Sequence, residues 1–295
     1  MMKLFEETRS KYLAEILNPS RLTRICDIGA NPVNSPPYKS FFDTGLCEVI
    51  GFEPGSEPFE ALQKQKTDRE TYIQAAVGDG SEQTLNICSN DALTSLLAPN
   101  VDFLNYMGVG RWHRQAKIVD TLPLKTKKLD DPEIPEFDLL KIDAQGAEVM
   151  VFEGGKKKLS SAVAVISEVA YVPLYTHQPL IGQQIESLQS IGYIFHKQLH
   201  LPQKPMGSSK LNDLKLPQKL KRDQAIDGDA VFIREALSFE RLKDEELKHM
   251  VLLADGVFFS FTLALRLLDE LEKRDIVSSE QIDNYVDVLN SLNNR

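Results

Sequence analysis

The sequence predicts a doubly wound, Rossmann-like α/β fold with a mostly parallel seven-stranded sheet, and three observations carry that prediction. Strand and helix signals alternate from Arg21 to about Gly192, the pattern of a parallel sheet covered on both faces. The apolar run ICDIGAN (25–31) breaks at a glycine and is followed about twenty residues later by VIGFEP (49–54), a second run that ends on a carboxylate. Finally, GDAVFIR (228–234) reads as a last strand that pairs back antiparallel.

Each element has its own signal. The opening MMKLFEETRSKYLAEIL carries charges throughout and no unbroken apolar core, so it reads as an amphipathic helix ending near Pro19 and not as a secretory signal. Strands are predicted at 24–28, 48–52, 72–77, 139–143, 162–168 and 193–196, ahead of 228–234. Helices follow at 57–66, 147–159 and 182–190. An insertion at 80–131, with extended pieces at 84–88 and 116–122, is too long for a plain connection and marks a functional loop. A second insertion, 197–222, holds seven basic residues (Lys197, Lys204, Lys210, Lys215, Lys219, Lys221, Arg222) against one acid, Asp213.

From Phe239 the pattern becomes helical. Leu247, Met250, Val251, Ala254, Val257, Phe258, Phe261, Leu265 and Leu268 recur at spacings of three and four, a wide apolar face. Ser278 with Gln281 three residues on marks the N-cap of a further helix, giving a C-terminal helical hairpin. The organisation read from these signals is an N-terminal helix (1–20), a main α/β domain (21–238) and a helical extension (239–295). The wide face covers either its own domain or a second subunit, and a homodimer through these helices is one expectation. The run 250–268 is interrupted by Asp255, Gly256 and Arg266, so it reads as a buried or oligomerising helix, with no membrane span.

With 295 residues, 42% hydrophobic and 26% charged, the chain is long enough for one large domain with an appendage. A net charge of −9 argues against nucleic acid as a general partner. The three cysteines, Cys26, Cys47 and Cys88, lack metal-ligand spacing and read as reduced core residues of a cytoplasmic protein, with no metal expected.

The two breaking strands point to an adenosine cofactor. Gly29 lets the backbone turn tightly against a ligand, and Glu53 is placed to accept hydrogen bonds from both ribose hydroxyls. A dinucleotide site wants G-x-G-x-x-G to cradle a pyrophosphate, but Gly29 is followed by Ala30, Asn31, Pro32, Val33 and Asn34, with no glycine until Gly45. S-adenosylmethionine has no phosphate and needs no such cradle, which leaves a nicotinamide-dependent oxidoreductase as the weaker alternative.

By the fourth strand the motifs DIGAN, GFEP, QAAVGD, FDLLKIDAQGAE and VISE stand in order, and over roughly 21–233 the chain resembles the FkbM family of S-adenosylmethionine-dependent methyltransferases. The family often carries glutamate where this chain has Gln145 and glycine where it has Val33. The resemblance implies a class I methyltransferase fold, S-adenosylmethionine as cofactor, and transfer of a methyl group to a hydroxyl of a carbohydrate or secondary metabolite. It places Asp27, Gly29 and Asn31 along the methionine tail, Glu53 at the ribose and Asp79 near the adenine amino group.

Lys141, Asp143 and Glu148 fall at and just beyond the fourth strand, where the transferred methyl group would face its acceptor. A hydroxyl acceptor needs a base; Asp143 is the first candidate and Glu168 the second, with Asp143 alternatively orienting the cofactor amine. Lys141 is expected either in catalysis or in an ion pair with Glu148 or Glu168, and Glu148 either at the substrate or at the start of its helix. In RWHR, Trp112 and His113 suit a pocket for a sugar or planar acceptor. The basic insertion either covers the site, binds an anionic acceptor such as a phosphorylated or nucleotide-linked sugar, or is a solvated loop. A further alternative is a methyltransferase-like domain without chemistry that serves as an assembly module through its C-terminal helices.

Overall fold

The computed structural model describes residues 2–108 and 111–291. Seven strands form one sheet: β1 (Thr23–Ile28), β2 (Cys47–Phe52), β3 (Glu70–Ile73), β4 (Leu139–Ile142), β5 (Ala164–Ala170), β6 (Tyr193–His200) and β7 (Asp227–Arg234). Their order is β3-β2-β1-β4-β5-β7-β6. β7 runs antiparallel to both its neighbours, and the remaining pairings are parallel. The chain winds outward from β1 in one direction and from β4 in the other, so a crevice opens beyond the carboxyl ends of these strands.

Side chains alternate across the sheet. Ile25, Leu139, Ile166 and Val231 belong to one buried cluster, whereas their neighbours Cys26, Leu140, Val165 and Phe232 belong to another. The second cluster is closed by Val151 and Phe152 of α3 (Glu148–Glu153) and Leu188 of α4 (Ile181–Ser190). The first is closed by α1 (Met2–Leu17), α5 (Asp244–Gly256), α6 (Phe261–Lys273) and α7 (Ser279–Asn290). α2 (Ser56–Gln65) packs beside β3.

The apolar face of the C-terminal helices is therefore buried within the chain: Leu253, Ala254, Leu267, Leu268 and Leu271 are fully inaccessible to solvent. A buried carboxylate ties this layer together, Asp255 accepting from Arg9 Nε, from Ser10 Oγ at 3.0 Å and from Tyr285 Oη at 2.7 Å. The cap expected at Ser278 is present, its Oγ accepting from Gln281 N while Gln281 Oε1 accepts from Ser278 N. Among the described residues no helix is long and apolar enough to cross a membrane. Cys26, Cys47 and Cys88 are free and buried.

Four local expectations are corrected. The third strand stops at Ile73, whose carbonyl accepts from Glu53 N at 3.2 Å, because the next N–H facing it, that of Gly55, donates to Glu53 Oε1 instead; Val77–Gly78 pairs with Lys127–Lys128. The helix expected at 147–159 breaks after Glu153, where a Cβ on Gly154 would stand 2.0 Å from the Gly78 carbonyl oxygen. The C-terminal hairpin is three helices, divided after Gly256 by a turn with Phe259 at φ +50°. The inner faces of α5 and α6 continue one apolar period across that turn, which hid it. β6 runs on to His200, so Lys197 lies in the sheet and donates to the Phe258 carbonyl at 2.9 Å rather than joining the basic insertion.

Candidate active site

A cavity of about 600 Å³ lies at the carboxyl ends of β1, β2, β4 and β5. Of the residues expected from sequence, Asp27, Gly29, Asn31, Glu53, Lys141, Asp143 and Glu168 line it.

One half of the cavity is built on β1 and β2. Asp27 stands in register beside Lys141 of β4, and the two form a buried ion pair with Nζ 3.1 Å from Oδ1. Lys141 thus pairs with Asp27, not with Glu148 or Glu168 as the sequence suggested. Burial works to lower the Lys141 ammonium, but Asp27 and Asp143 outweigh it and hold its pKa above the ordinary value. A lysine so held positions charge; it does not accept protons. Asp27 Oδ2 accepts from Tyr38 Oη at 2.6 Å, while among the described residues no hydrogen bond reaches Oδ1.

Gly29 has φ +76°, and a Cβ there would lie 2.0 Å from the Asp143 carbonyl oxygen. Only glycine lets the end of β1 cross the end of β4 so closely. Asn31 Oδ1 accepts from Val33 N at 2.7 Å, shaping the following turn. Glu53 Oε1 accepts from Gly55 N at 2.7 Å; burial nevertheless pushes its carboxyl up to about 7.

The other half is a cluster of carboxylates. Gln145 Nε2 donates to Asp143 Oδ1 at 2.7 Å and to Glu168 Oε2 at 3.1 Å. Its Oε1 accepts from Tyr175 Oη at 2.7 Å, so the amide is oriented with its NH₂ toward the acids. The backbone at Gln145 is left-handed, φ +49°, and its carbonyl accepts from Ser95 Oγ at 2.7 Å. Glu168 is paired across the sheet with Asp229, which is paired in turn with His200, and both line the cavity. Burial, then Asp143 and Glu148, hold Glu168 well above the usual carboxylate range; burial and Asp143 also raise Asp229.

Four expected residues lie elsewhere. Asp79 is exposed, outside the cavity lining, and its Oδ1 accepts from the Ser81 backbone at 2.9 Å, making a turn. Glu148 is buried beneath the site, its Oε1 accepting from Ala144 N and Gly146 N, both at 3.0 Å. It shapes the loop that carries Gln145 rather than meeting a substrate. Burial pushes its carboxyl up to about 7. Trp112 packs against Met107, Val172 and Ile226 and lines a second cavity of about 220 Å³ with Tyr175, Pro202 and Lys204. His113 is exposed and lines neither cavity.

Sequence reasoning overlooked Tyr38, Tyr175, Asp229 and His200, and noted Gln145 only as a departure from the family pattern. Asp227 and Asp229, alternating acids in an otherwise apolar strand, were the one visible signal.

The donor set fits S-adenosylmethionine. Asp27 Oδ1, buried and held by the Lys141 ammonium at 3.1 Å, keeps a lone pair for a second cationic donor, and Glu53 directly follows β2 where a ribose needs a carboxylate. Among the described residues no group of three or more histidine, cysteine or acidic side chains is arranged to hold a metal ion.

Comparison with known proteins agrees. A family described as the methyltransferase FkbM domain matches residues 27–195. Among solved structures the chain is similar to methyltransferase FkbM from Methylobacillus flagellatus, with 13% identity and a TM-score of 0.41 over 72% of this chain and 43% of that one. The chain therefore spans less than half the length of that protein. It is also similar to magnesium protoporphyrin IX methyltransferase from Synechocystis PCC 6803, solved with S-adenosylmethionine bound (9% identity, TM-score 0.37, 78% and 79% covered). No curated protein matches the sequence. With more than half of its length matched by that domain, the chain belongs to the FkbM family of methyltransferases, and S-adenosylmethionine is its cofactor.

Proposed function

We propose that the enzyme is an O-methyltransferase acting on a hydroxyl of a carbohydrate or secondary metabolite, with Asp143 as the proton acceptor. The observation that carries this reading is the Asp143–Gln145–Glu168 arrangement inside the cavity. Asp27, Gly29, Asn31 and Glu53 would hold S-adenosylmethionine, which supplies an electrophilic methyl group when bound. The chain's own task is to align a hydroxyl and take its proton. Burial, with Asp143 and Glu148 beside it, pushes the Glu168 carboxyl well above the usual carboxylate range and so disfavours it as the base, which leaves Asp143 as the acid placed to take the proton of the acceptor O–H.

The acceptor end of the cavity presents Asp143, Glu168 and Asp229 beside His200. That surface favours a neutral, hydroxyl-rich acceptor, whose O–H groups donate to carboxylates, over a phosphorylated one. A cytoplasmic enzyme fits three unpaired buried thiols. Because the C-terminal apolar face is already covered within the chain, a homodimer through these helices would use their remaining outer surface.

The test combines a panel of hydroxyl acceptors and methyl-labelled cofactor with the Asp143→Asn variant. Loss of about 10²–10⁴-fold in kcat, with S-adenosylhomocysteine affinity unchanged by calorimetry, supports a base. Equal loss of cofactor affinity would reassign Asp143 to the cofactor amine. Labelling of amines alone would overturn the hydroxyl assignment.

A further inference from the structure

The second insertion combines charge and apolar exposure in a way that solubility does not require. Of thirteen exposed large apolar side chains among the described residues, five lie within residues 201–222: Leu201, Met206, Leu214, Leu216 and Leu220. The last three are 43%, 46% and 59% exposed. Between them stand Lys204, Lys210, Lys215, Lys219, Lys221 and Arg222, against the single acid Asp213. Lys210 pairs with Asp213; the other five cations form no ion pair among the described residues. A segment meant only to stay solvated would leave its leucines out or bury them.

Exposed leucines and lysines are interleaved along one stretch of chain. Leu214 is extended (φ −75°, ψ 109°) and a short 3₁₀ turn at Gln218–Lys221 carries Leu220, so Leu214, Leu216 and Leu220 fall within seven residues, each next to a lysine. At its other end the segment is fastened to the body of the protein, Gly207 N donating to the Met107 carbonyl at 2.8 Å. The helix Val101–Met107, thus joined, adds exposed Val101 and Tyr106.

We propose that residues 201–222 form a peripheral docking surface for an anionic lipid bilayer. Charge complementarity selects this partner: a local charge of +5 in a chain of net −9 is drawn to an anionic surface, while the leucines have apolar area to bury at the headgroup boundary. A polyanion such as RNA would use the lysines and leave the leucines in water. The placement serves the active site. His200, at the root of the segment, lines the main cavity, and Pro202 and Lys204 line the Trp112 cavity, so docking holds both cavities at the membrane surface, where an acceptor carried on a lipid would be presented.

The experiment is co-sedimentation of the full chain with phosphatidylcholine vesicles, with and without phosphatidylserine, at low and high salt. S-adenosylhomocysteine binding is measured on the same preparations to show that each variant is folded. The expected result is binding to the anionic vesicles only. Lys215→Glu/Lys219→Glu/Lys221→Glu should weaken it at least about 100-fold, and Leu214→Ser/Leu216→Ser/Leu220→Ser about tenfold or more, with nucleotide affinity unchanged. Failure of the unmodified chain to sediment at low salt would overturn the proposal, as would vesicle binding that neither variant alters. Binding lost on charge reversal but indifferent to the leucine changes, with RNA retained equally well, would reassign the surface to a nucleic acid.

Discussion

Asp27 and Glu168 are acids on strands of the same sheet, lining the same cavity, and they have opposite surroundings. Asp27 has a cation in register beside it and a tyrosine donor on its other oxygen. Glu168 is surrounded by Asp143, Glu148 and Asp227, and the Gln145 amide donates to it. The first arrangement compensates a buried charge; the second makes the neutral form the stable one. The half of the cavity proposed for the cofactor is thus built on paired charge, and the half proposed for the acceptor on acids that disfavour one another's ionisation.

The largest expected effect tests that contrast directly. Lys141→Met leaves Asp27 buried without its cation and should lower stability by about 3–5 kcal/mol in urea denaturation, whereas Glu168→Gln, which preserves shape and neutrality, should change it by less than about 1 kcal/mol. Equal losses would erase the distinction. Next is Gly29→Ala. Its φ of +76° and the 2.0 Å approach to the Asp143 carbonyl force the two strand ends apart, so a loss of about 2 kcal/mol or more is expected, with S-adenosylhomocysteine affinity falling at least about tenfold. Retained affinity would mean that the β1–β4 crossing does not shape the nucleotide site.

Smaller is the pH dependence of S-adenosylhomocysteine binding. Glu53 in the free enzyme titrates near 7 because it is buried. Ribose hydroxyls donate to its ionised form, so binding is full above that pH and should weaken by about tenfold per unit below it. Calorimetry of S-adenosylhomocysteine across this range, repeated on Glu53→Gln, checks the sign: the variant should bind more weakly and without the slope. A slope that survives the substitution would move the titrating group elsewhere.

These predictions divide along the line that separated what was legible in the sequence from what was not. The strand ends of the cofactor half announce themselves locally: Gly29 by a turn inside an apolar run, Glu53 by an acid that ends one. The sheet order follows from the alternation of elements and from the antiparallel GDAVFIR strand. The acceptor half depends on contacts between distant segments. Tyr175 meets Gln145 thirty positions away, and Asp229 meets Glu168 across a strand pair, so no spacing in the chain reveals them. Trp112 and Asp79 failed for the converse reason. A sole tryptophan between cations, or an acid after a strand, satisfies the chemistry of a site without the geometry, and here one lines a separate cavity and the other makes a turn. Glu148 carries an acid in the right motif but spends it on the backbone of the loop it opens.

The subtlest test concerns Tyr175, which touches neither candidate base but fixes the group that touches both. Its hydroxyl donates to Gln145 Oε1, and that bond decides which end of the amide faces Asp143 and Glu168. Without it, as in Tyr175→Phe, the amide loses one of the contacts that orient it, and its N–H groups are held less firmly against the acids. A donor to a carboxylate stabilises its charged form, so a less firmly held donor supports the developing charge less well. Turnover should therefore fall, with kcat down about three- to tenfold, in line with about 1 kcal/mol for one hydrogen bond. S-adenosylhomocysteine affinity should stay unchanged, because the cofactor half does not use this network. A variant that loses stability but keeps its kcat would make Tyr175 a packing residue and would leave the orientation of Gln145 to its left-handed backbone and to Ser95.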